Sequence, residues 1–361
     1  MQRVRTESNL IHPLMYELET LYAELSVKIQ PRSLITPRHH ELLKPIVEMF
    51  KWGNSRYEFT YTNEEIEKLK VPKFDKKNII VCFSGGKDSF AVARHYQKLG
   101  YNVYLYHLKG LNATYCGGNA ESYTAEECAG YMGVPIITEE IGYSGYHDWV
   151  EHPMKNMLLL NRAVSYGVNH GLTDKVAVGT FRTSTLIDSP FEVCGGDTID
   201  MMRAYETIVK SFMPKFKLYV PSANYQTAYN MLLKEPTALP HISSCLTPNR
   251  FKNHFRQRTE TNYGIELLPY RCGCCWKDAV EYMWMVDHNM LELNRLYYLH
   301  CLEVLRATLC KERRWFVHYV EIVWEEYMFY PITKSKLSKE IKSATYTAKG
   351  KIKCSNNNIK R

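Results

Sequence analysis

The chain has 361 residues, 45% of them hydrophobic, which is enough to bury a full core and more than one domain. No apolar run approaches the roughly 20 residues of a membrane-spanning helix, and the charged start of the chain lacks the apolar stretch of a signal peptide. The formal net charge of +8 lies in residues 331–361, which hold nine Lys or Arg and one Glu. We therefore expect a cytoplasmic protein, neither membrane-bound nor secreted.

Residues 1–75 predict a helical N-terminal extension. Apolar residues recur at helical spacing over His12–Val27 and again over Glu41–Trp52. Lys70–Lys77, which contains Pro72, has the composition of a linker. We assign no chemistry to this extension. It is either a cap on the following domain or a docking surface for a protein partner or a second copy of the chain.

The next stretch, Asn78–Gly100, predicts a strand, a glycine turn and a helix. Ile79–Phe83 is nearly all apolar, as in a strand buried on both faces, and a helical pattern follows up to Gly100. This arrangement directs backbone N–H groups and a positive helix end at a bound anion. A similar turn also occurs in α/β proteins that bind no nucleotide. The candidate phosphate-binding residues are Ser84, Gly85, Gly86, Lys87, Asp88 and Ser89.

The following residues alternate between strand and helix patterns, which predicts an α/β fold: a parallel sheet with helices on both faces. Ligands of such sheets bind beyond the carboxyl ends of the strands, so Lys109 and the stretch Gly179–Arg182 should join the loop around one pocket. The predicted strands are Asn102–Leu108, Ile136–Ile141, Lys175–Thr180 and Lys217–Val220, and the predicted helices are Glu121–Gly133 and Pro153–His170.

Four of the eleven cysteines lie late in the chain and suggest a metal site. Cys272 and Cys275 have the spacing of a metal knuckle, Asp278 follows three residues later, and Cys245 lies 27 residues before Cys272. These four residues form a plausible tetrahedral zinc set, with Cys274 as the alternative ligand. An iron–sulfur cluster and free buried cysteines are the other interpretations.

The hexapeptide SGGKDS at 84–89 resembles the PP-loop of the ATP pyrophosphatase superfamily, which has an adenine nucleotide alpha-hydrolase-like, Rossmann-like fold. It is not a Walker A loop, because G-x-x-x-x-G-K-[ST] is absent. The resemblance implies cleavage of ATP between its α and β phosphates with Mg²⁺ and transfer of AMP to a substrate oxygen. It also implies adenine near Lys109 and the reacting phosphates near Gly179 and Thr180.

Residues 78–285 are more narrowly similar to the 7-cyano-7-deazaguanine synthases. That family holds zinc with four cysteines, of which Cys245, Cys272 and Cys275 match three, while Asp278 stands at the fourth. The chain departs from the family at Lys155, where Arg is expected, and at 193–195, where Val-Cys-Gly replaces Asp-Cys-Arg. The similar stretches are 84–89, 152–156, 176–179, and 244–245 with 272–275.

The predicted domains are the extension 1–75, a PP-loop domain at 76–285 that includes the cysteines, helices at 286–330 and a disordered basic tail at 331–361. The resemblance implies an ATP-dependent ligase that releases pyrophosphate and AMP. A carboxylate or amide oxygen of a 7-deazaguanine-type, purine-like substrate would be adenylated, and ammonia or another amine would then displace AMP. The candidate catalytic residues are Asp88, Lys87, Lys155 and Arg182, although the last two are equally interpreted as ordinary surface charges.

The alternative is a PP-loop sulfurtransferase or sulfonucleotide-reductase-like enzyme that acts in tRNA or DNA thiolation. It would use the same adenylation, with an iron–sulfur cluster on Cys272, Cys274 and Cys275. The basic tail at 331–361 would then hold the nucleic acid, although its composition is equally that of a solvated end. A nucleotide-binding scaffold without enzymatic activity is the third interpretation.

Overall fold

The structure is a computed structural model that describes residues 10–26, 38–49, 60–62, 65–109, 118–140, 155–179, 199–220, 225–243, 245 and 249–313. The chain divides into two compact units, 1–224 and 225–361. The glycine loop belongs to the first unit and the cysteine cluster to the second. The predicted domain boundaries at 75, 285 and 330 stay predictions, and the basic tail lies outside the described residues.

The first unit contains a five-stranded sheet in which all neighbouring strands are parallel, and this confirms the predicted α/β class. The strands are β3 (Asn78–Cys82), β4 (Asn102–Lys109), β5 (Ile136–Glu140), β6 (Lys175–Val178) and β7 (Lys217–Tyr219). Their order across the sheet is β5-β4-β3-β6-β7, so the chain builds outward in one direction from β3 and then crosses to the other side. A separate parallel pair is formed by β1 (Arg38–His40) and β2 (Thr60–Thr62).

The described part of the first unit contains six α-helices, of which five lie at predicted positions and the last was not predicted from the sequence. They are α1 (Pro13–Ser26), α2 (Lys44–Met49), α3 (Lys87–Lys98), α4 (Gly118–Met132), α5 (Lys155–Asn169) and α6 (Ile199–Phe212). The segment predicted as a single helix over Glu41–Trp52 begins with a 3₁₀ turn at Glu41–Leu43. Pro45 lacks an N–H and fits the first turn of a helix, which explains why α2 begins beside it.

The core of the first unit lies on both sides of β3. Ile79, Ile80 and Val81 are fully buried. Ile80 packs in a cluster with residues of α1, α5 and α6. Because successive strand side chains alternate between faces, Ile79 and Val81 point to the opposite side, and α3 and α4 contact β4. Helices therefore cover the sheet from both faces.

Helix α1 packs onto α5 within the same unit. Arg162 donates two hydrogen bonds to the Glu19 carboxylate, at 2.7 and 2.6 Å, and the Asn161 side chain donates to the Met15 carbonyl at 3.0 Å. Burial raises the pKa of Glu19, and the bonds from Arg162 oppose that shift. This part of the predicted extension is therefore fixed to the sheet domain.

The second unit is helical in its described residues. Its helices are α7 (Tyr225–Lys234), α8 (Asn249–Tyr263), α9 (Trp276–Asp287) and α10 (Arg295–Arg313), with a 3₁₀ turn at Pro236–His241. Tyr297 of α10 packs against the rings of Tyr263 and Tyr282, which joins α8, α9 and α10. Of the helices that the structure describes, none is both long and apolar enough to cross a membrane.

Candidate functional site

The glycine loop lies where the strand order of the sheet reverses. Residues 84–89 follow β3, and Gly179 follows β6, which is paired directly with β3. The chain leaves β3 for β4 on one side of it, whereas β6 lies on the other side of β3. A crevice is therefore expected between the ends of β3 and β6. Ligands of open parallel sheets bind at this position. The structure thus brings two of the predicted nucleotide-binding stretches together.

Two glycines allow this close approach. Gly85 has φ +73°, and a Cβ there would lie 2.6 Å from the backbone N of Ala125 in α4. A Cβ on Gly179 would lie 2.8 Å from the backbone N of Ser89 in α3. Both distances are shorter than any tolerated contact, and in each case the obstacle is backbone that a rotamer change cannot remove. No residue with a side chain fits either position as the structure stands.

Hydroxyl groups hold the loop in shape. Ser89 Oγ donates to the Gly86 carbonyl at 3.0 Å, and the Ser84 N–H donates to Ser89 Oγ at 3.3 Å. The Gly86 N–H donates to Ser84 Oγ at 3.4 Å. Gly86 is the N-cap of α3 and carries no side chain, so no side-chain cap covers the helix end. The loop therefore presents the positive end of α3, as the sequence predicts for an anion site.

Lys87 and Asp88 form an ion pair within the loop. The Lys87 side chain is 8% exposed, and its Nζ donates to Asp88 Oδ2 at 2.9 Å. Asp88 Oδ1 is buried and has no hydrogen-bond partner in the described part of the chain. An orphaned carboxylate oxygen beside a phosphate-type loop fits the oxygen ligands that Mg²⁺ requires. The charge of Lys87 is thus held against Asp88 in this structure.

The other predicted nucleotide and catalytic residues are only partly described. Lys109 ends β4, and its Nζ lies 3.8 Å from Glu140 Oε2 at the end of β5. Lys155 begins α5, but its side chain lies outside the described set, as do all of Thr180 and Arg182. The roles of these residues stay predictions.

His107 was not singled out from the sequence. It is buried in β4, and its ring nitrogens lie 2.9 Å from the Phe83 carbonyl and 2.9 Å from Ser122 Oγ. It therefore ties the residue just before the loop to α4, against which Gly85 packs. The sequence feature that could have indicated a role for His107 is the position of a histidine within the largely apolar strand β4.

The second site is the cysteine cluster. One ligand atom from each of Cys245, Cys272, Cys275 and Asp278 lies within 4.8 Å of the other three. Cys272 precedes α9 in a tight loop, Cys275 is the N-cap of α9, and Asp278 lies in its first turn. Cys245 reaches them from the segment after the 3₁₀ turn. The structure thus brings together the four residues predicted as a zinc set.

Backbone N–H groups are directed at two of the sulfur atoms. The Cys274 N–H donates to Cys272 Sγ at 3.4 Å, and the Asp278 N–H donates to Cys275 Sγ at 3.5 Å. Hydrogen bonds of this kind stabilise a thiolate and so favour metal binding. Gly273 makes the turn possible, because it has φ +74° and a Cβ there would collide with three neighbouring side chains.

Asp278 links the loop to the cluster through one oxygen and leaves the other unused. Its Oδ2 accepts from the N–H groups of Cys272 and Gly273, at 2.8 and 3.0 Å. Its Oδ1 is buried without a hydrogen-bond partner among the described residues. Burial raises the pKa of this carboxyl to about 7. Three sulfurs and one carboxylate oxygen fit Zn²⁺ better than a hard cation such as Mg²⁺.

Cys274 lies beside this group without belonging to it. Its Sγ lies 3.5 Å from the Cys272 carbonyl oxygen, its side chain also interacts with that of Cys272, and the residue is half-exposed. In the part of the chain that the structure describes, the compact ligand group includes Asp278 and not Cys274. The geometry therefore favours Asp278 over Cys274 as the fourth ligand.

A scan of the chain against models of protein families gives no match, and a search of curated proteins gives none. The chemistry of the two sites has to follow from their own residues. The glycine loop presents the N-terminal end of a helix, an arrangement that suits an anion, and the cysteine cluster has a donor set that suits a thiophilic metal.

Proposed function

We propose that the chain is an ATP-dependent ligase of the PP-loop type that releases AMP and pyrophosphate. The observation that carries this proposal is the loop 84–89 at the reversal of strand order, with Gly85 and Gly179 in positions that exclude any side chain. A loop of this kind suits a polyphosphate, because backbone N–H groups can approach it closely and α3 adds a favourable dipole. The resemblance of the SGGKDS sequence to the PP-loop adds the position of cleavage to this proposal, which is between the α and β phosphates of ATP.

The chain's own residues would act mainly by positioning and charge neutralisation. Ser84, Ser89 and the loop backbone would hold the pyrophosphate portion of ATP. Asp88 would hold Mg²⁺ through its unpartnered Oδ1, and Lys87, released from Asp88, would face the negative charge that develops on the leaving group. Lys155 and Arg182 are further candidates for phosphate or substrate contacts.

The acceptor that we propose is a carboxylate or amide oxygen of a purine-like, 7-deazaguanine-type molecule. After adenylation of that oxygen, ammonia or another amine would attack the activated carbon and AMP would leave. The support for this acceptor is the sequence resemblance over 78–285. The stretch at 193–195, outside the described residues, departs from the motif with which the resembled family recognises the substrate carboxylate.

The cysteine cluster would hold Zn²⁺ through Cys245, Cys272, Cys275 and Asp278. With four protein ligands the ion would have a structural role and would link the segment at Cys245 to the N-terminus of α9. The alternative is a sulfur-transfer enzyme with an iron–sulfur cluster. The half-exposed Cys274 beside the cluster is the observation that favours it, since it supplies a fourth nearby thiol.

The test is a product analysis of ATP turnover in the presence of candidate 7-deazaguanine carboxylic acids and ammonia. We expect AMP and pyrophosphate in equal amounts, together with an amide product detected by mass spectrometry. Asp88→Ala and Ser84→Ala should abolish pyrophosphate release. Asp75→Ala is the matched control, because this exposed carboxylate caps a turn before β3 and lies outside the loop. Formation of ADP and phosphate without AMP would reject the proposal.

Metal analysis of anaerobically purified protein separates the two candidate functions. A colourless protein with one zinc per chain supports the ligase. A brown protein with iron and acid-labile sulfide supports sulfur transfer.

A further inference from the structure

The loop that precedes α9 is held from outside by hydroxyl groups of two other helices. Thr259 Oγ1 of α8 donates to the Cys272 carbonyl at 3.2 Å, and Tyr297 Oη of α10 donates to the Gly273 carbonyl at 3.0 Å. Thr259 and Tyr297 are both buried. A Cβ on Gly273 would lie 2.7 Å from Thr259 Cγ2 and 2.9 Å from Tyr297 Oη, so these two side chains flank the turn closely. Neither residue belongs to the ligand group, but both bond to the segment that carries it.

The two carbonyls belong to peptide groups whose N–H ends face the cluster. The peptide group between Cys272 and Gly273 donates its N–H to Asp278 Oδ2 at 3.0 Å. The next peptide group, between Gly273 and Cys274, donates its N–H to Cys272 Sγ at 3.4 Å. The C=O and N–H of a planar trans peptide point in opposite directions, so a donor that fixes the carbonyl also fixes the direction of the N–H. The hydroxyl of α8 therefore orients the bond to the carboxylate, and the hydroxyl of α10 orients the bond to the sulfur.

A metal ion in this cluster would leave negative charge in a buried place. Three thiolates and one carboxylate carry more negative charge than Zn²⁺ neutralises, and Cys272 and Asp278 are both buried. Burial of such charge is costly unless hydrogen-bond donors face it. The N–H groups supply these donors, and the outer hydroxyls strengthen them, because the members of a chain of hydrogen bonds polarise one another.

We propose that Tyr297 and Thr259 are positioning residues of the metal centre, each of which holds a peptide group so that its N–H donates to a metal ligand. The inference rests on the zinc site of the proposed function and goes beyond it, since it makes the metal affinity depend on α8 and α10. Helix α10 lies after residue 285, where the sequence resemblance ends. By linkage, a hydroxyl that tightens zinc binding is itself held more firmly when zinc is bound.

The first measurement is the zinc affinity of folded variants, by competition against a chromophoric chelator. Tyr297→Phe and Thr259→Val remove the hydroxyls with little change of shape. Each should weaken zinc binding by about 10-fold, the lower end of the range for losing a hydrogen-bond partner behind a metal ligand, because the contact passes through one peptide group. Thr259→Ser keeps a hydroxyl and should bind zinc nearly as tightly as the wild type.

The matched control is Tyr282→Phe. Tyr282 is also buried, and its ring packs against that of Tyr297, but its hydroxyl accepts from the Asn294 N–H at 3.0 Å, outside the metal loop. Loss of this hydroxyl should lower the urea midpoint of the metal-free protein, as Tyr297→Phe does, and should leave the zinc affinity unchanged. A purely structural role for Tyr297 would give the two variants the same zinc affinity.

Cobalt substitution adds a readout of the sulfur itself. An N–H that donates to a thiolate lowers the energy of the sulfur lone pairs, so the thiolate-to-cobalt charge-transfer band should move to longer wavelength in Tyr297→Phe. Thr259→Val acts on the carboxylate and should leave this band in place. Hydrogen exchange gives the reciprocal measurement, because zinc should slow exchange of the α10 amides more in the wild type than in Tyr297→Phe.

Three results would overturn the inference. The first is zinc affinity of Tyr297→Phe and Thr259→Val equal to that of the wild type, with no shift of the cobalt band. The second is an equal loss of zinc affinity in Tyr282→Phe and Tyr297→Phe, and the third is binding by Thr259→Ser as weak as that by Thr259→Val. Tight zinc binding that none of these variants alters would reject this inference alone. A wild-type chain that binds neither zinc nor cobalt would reject the metal site as well, while AMP formation tests the ligase separately.

Discussion

Replacement of Asp278 is the sharpest test of the metal site. Asp278→Ala removes the proposed ligand oxygen and also the acceptor of two backbone N–H groups, those of Cys272 and Gly273. Cys274→Ser removes a half-exposed thiol that lies 3.5 Å from the Cys272 carbonyl oxygen and outside the compact ligand group. We expect the first variant to lose zinc and the second to retain it.

The expected magnitudes follow from these contacts. Each buried N–H left without an acceptor costs about 1–3 kcal/mol, so Asp278→Ala should lower the free energy of unfolding by about 2–6 kcal/mol even without metal. Asp278→Asn keeps an acceptor oxygen and should recover part of that loss, but it should bind zinc weakly because the amide is a poorer ligand. Asp278→Cys should bind zinc as tightly as the wild type or more tightly. Cys274→Ser should change stability by less than about 1 kcal/mol.

The assay is competition for zinc against a chromophoric chelator, followed by urea unfolding with and without metal. Cys245→Ser and Cys272→Ser are the positive controls, since both should lose zinc and lower the unfolding midpoint. Loss of the metal from Cys274→Ser, with retention of the metal by Asp278→Ala, would contradict this expectation. In that case Cys274 is the fourth ligand, and the loop between Cys272 and Cys275 rearranges on binding.

Three further predictions concern the loop, the pH dependence and a buried thiol. Gly85→Ala should destabilise the first unit by several kcal/mol more than Gly100→Ala. Both glycines have a positive φ, which costs an L-residue about 1–2 kcal/mol, but only a Cβ on Gly85 would meet backbone atoms. Equal losses of amide protection in the two variants, measured by hydrogen exchange, would contradict this. In metal-free protein the pKa of Asp278 is raised to about 7, so between about pH 4 and 7 the folded state keeps a proton that the unfolded state has lost. The free energy of unfolding should therefore fall as the pH rises through this range. The urea midpoint of Asp278→Asn should depend less on pH, and an unchanged dependence would exclude Asp278 as the cause. Burial raises the pKa of Cys82 to about 12, so this thiol should resist iodoacetamide at pH 8 in the native protein and react only after unfolding in urea. Mass spectrometry that finds Cys82 alkylated in the native protein would contradict its burial.

Much of the fold was predictable because its signals are local. The apolar run before residue 84, the glycines and the helical spacing up to Gly100 together specify β3, the turn and α3. The alternation of such units predicts a parallel sheet, since a parallel neighbour requires a crossover connection. The predicted strands ended within two residues of the observed ones, because turn residues mark the strand ends.

Other features depend on contacts between distant segments. The periodicity of apolar residues predicts strands but not their order in the sheet. The pairing of β3 with β6, which brings Gly179 close to the loop, was therefore known only from the structure. The ion pair between Lys87 and Asp88 was also not predicted, because which partner a side chain chooses depends on how deeply the turn is buried.

By itself the sequence determined the class of the fold, the glycine turn between β3 and α3 and the set of residues able to hold a thiophilic metal, because residue type and spacing along the chain suffice for these. The tertiary structure alone decided which groups meet. It brought Cys245 to Cys275 across 30 residues and left one oxygen of Asp278 without a hydrogen-bond partner among the described residues. The physical reason is that the burial and the hydrogen-bond partners of a side chain depend on segments that are distant in the sequence and become neighbours only in the folded chain. The cysteine loop, for example, accepts a hydrogen bond from Thr259 of α8 and donates two to Asp278 of α9, and these bonds exist only when both helices have packed around it.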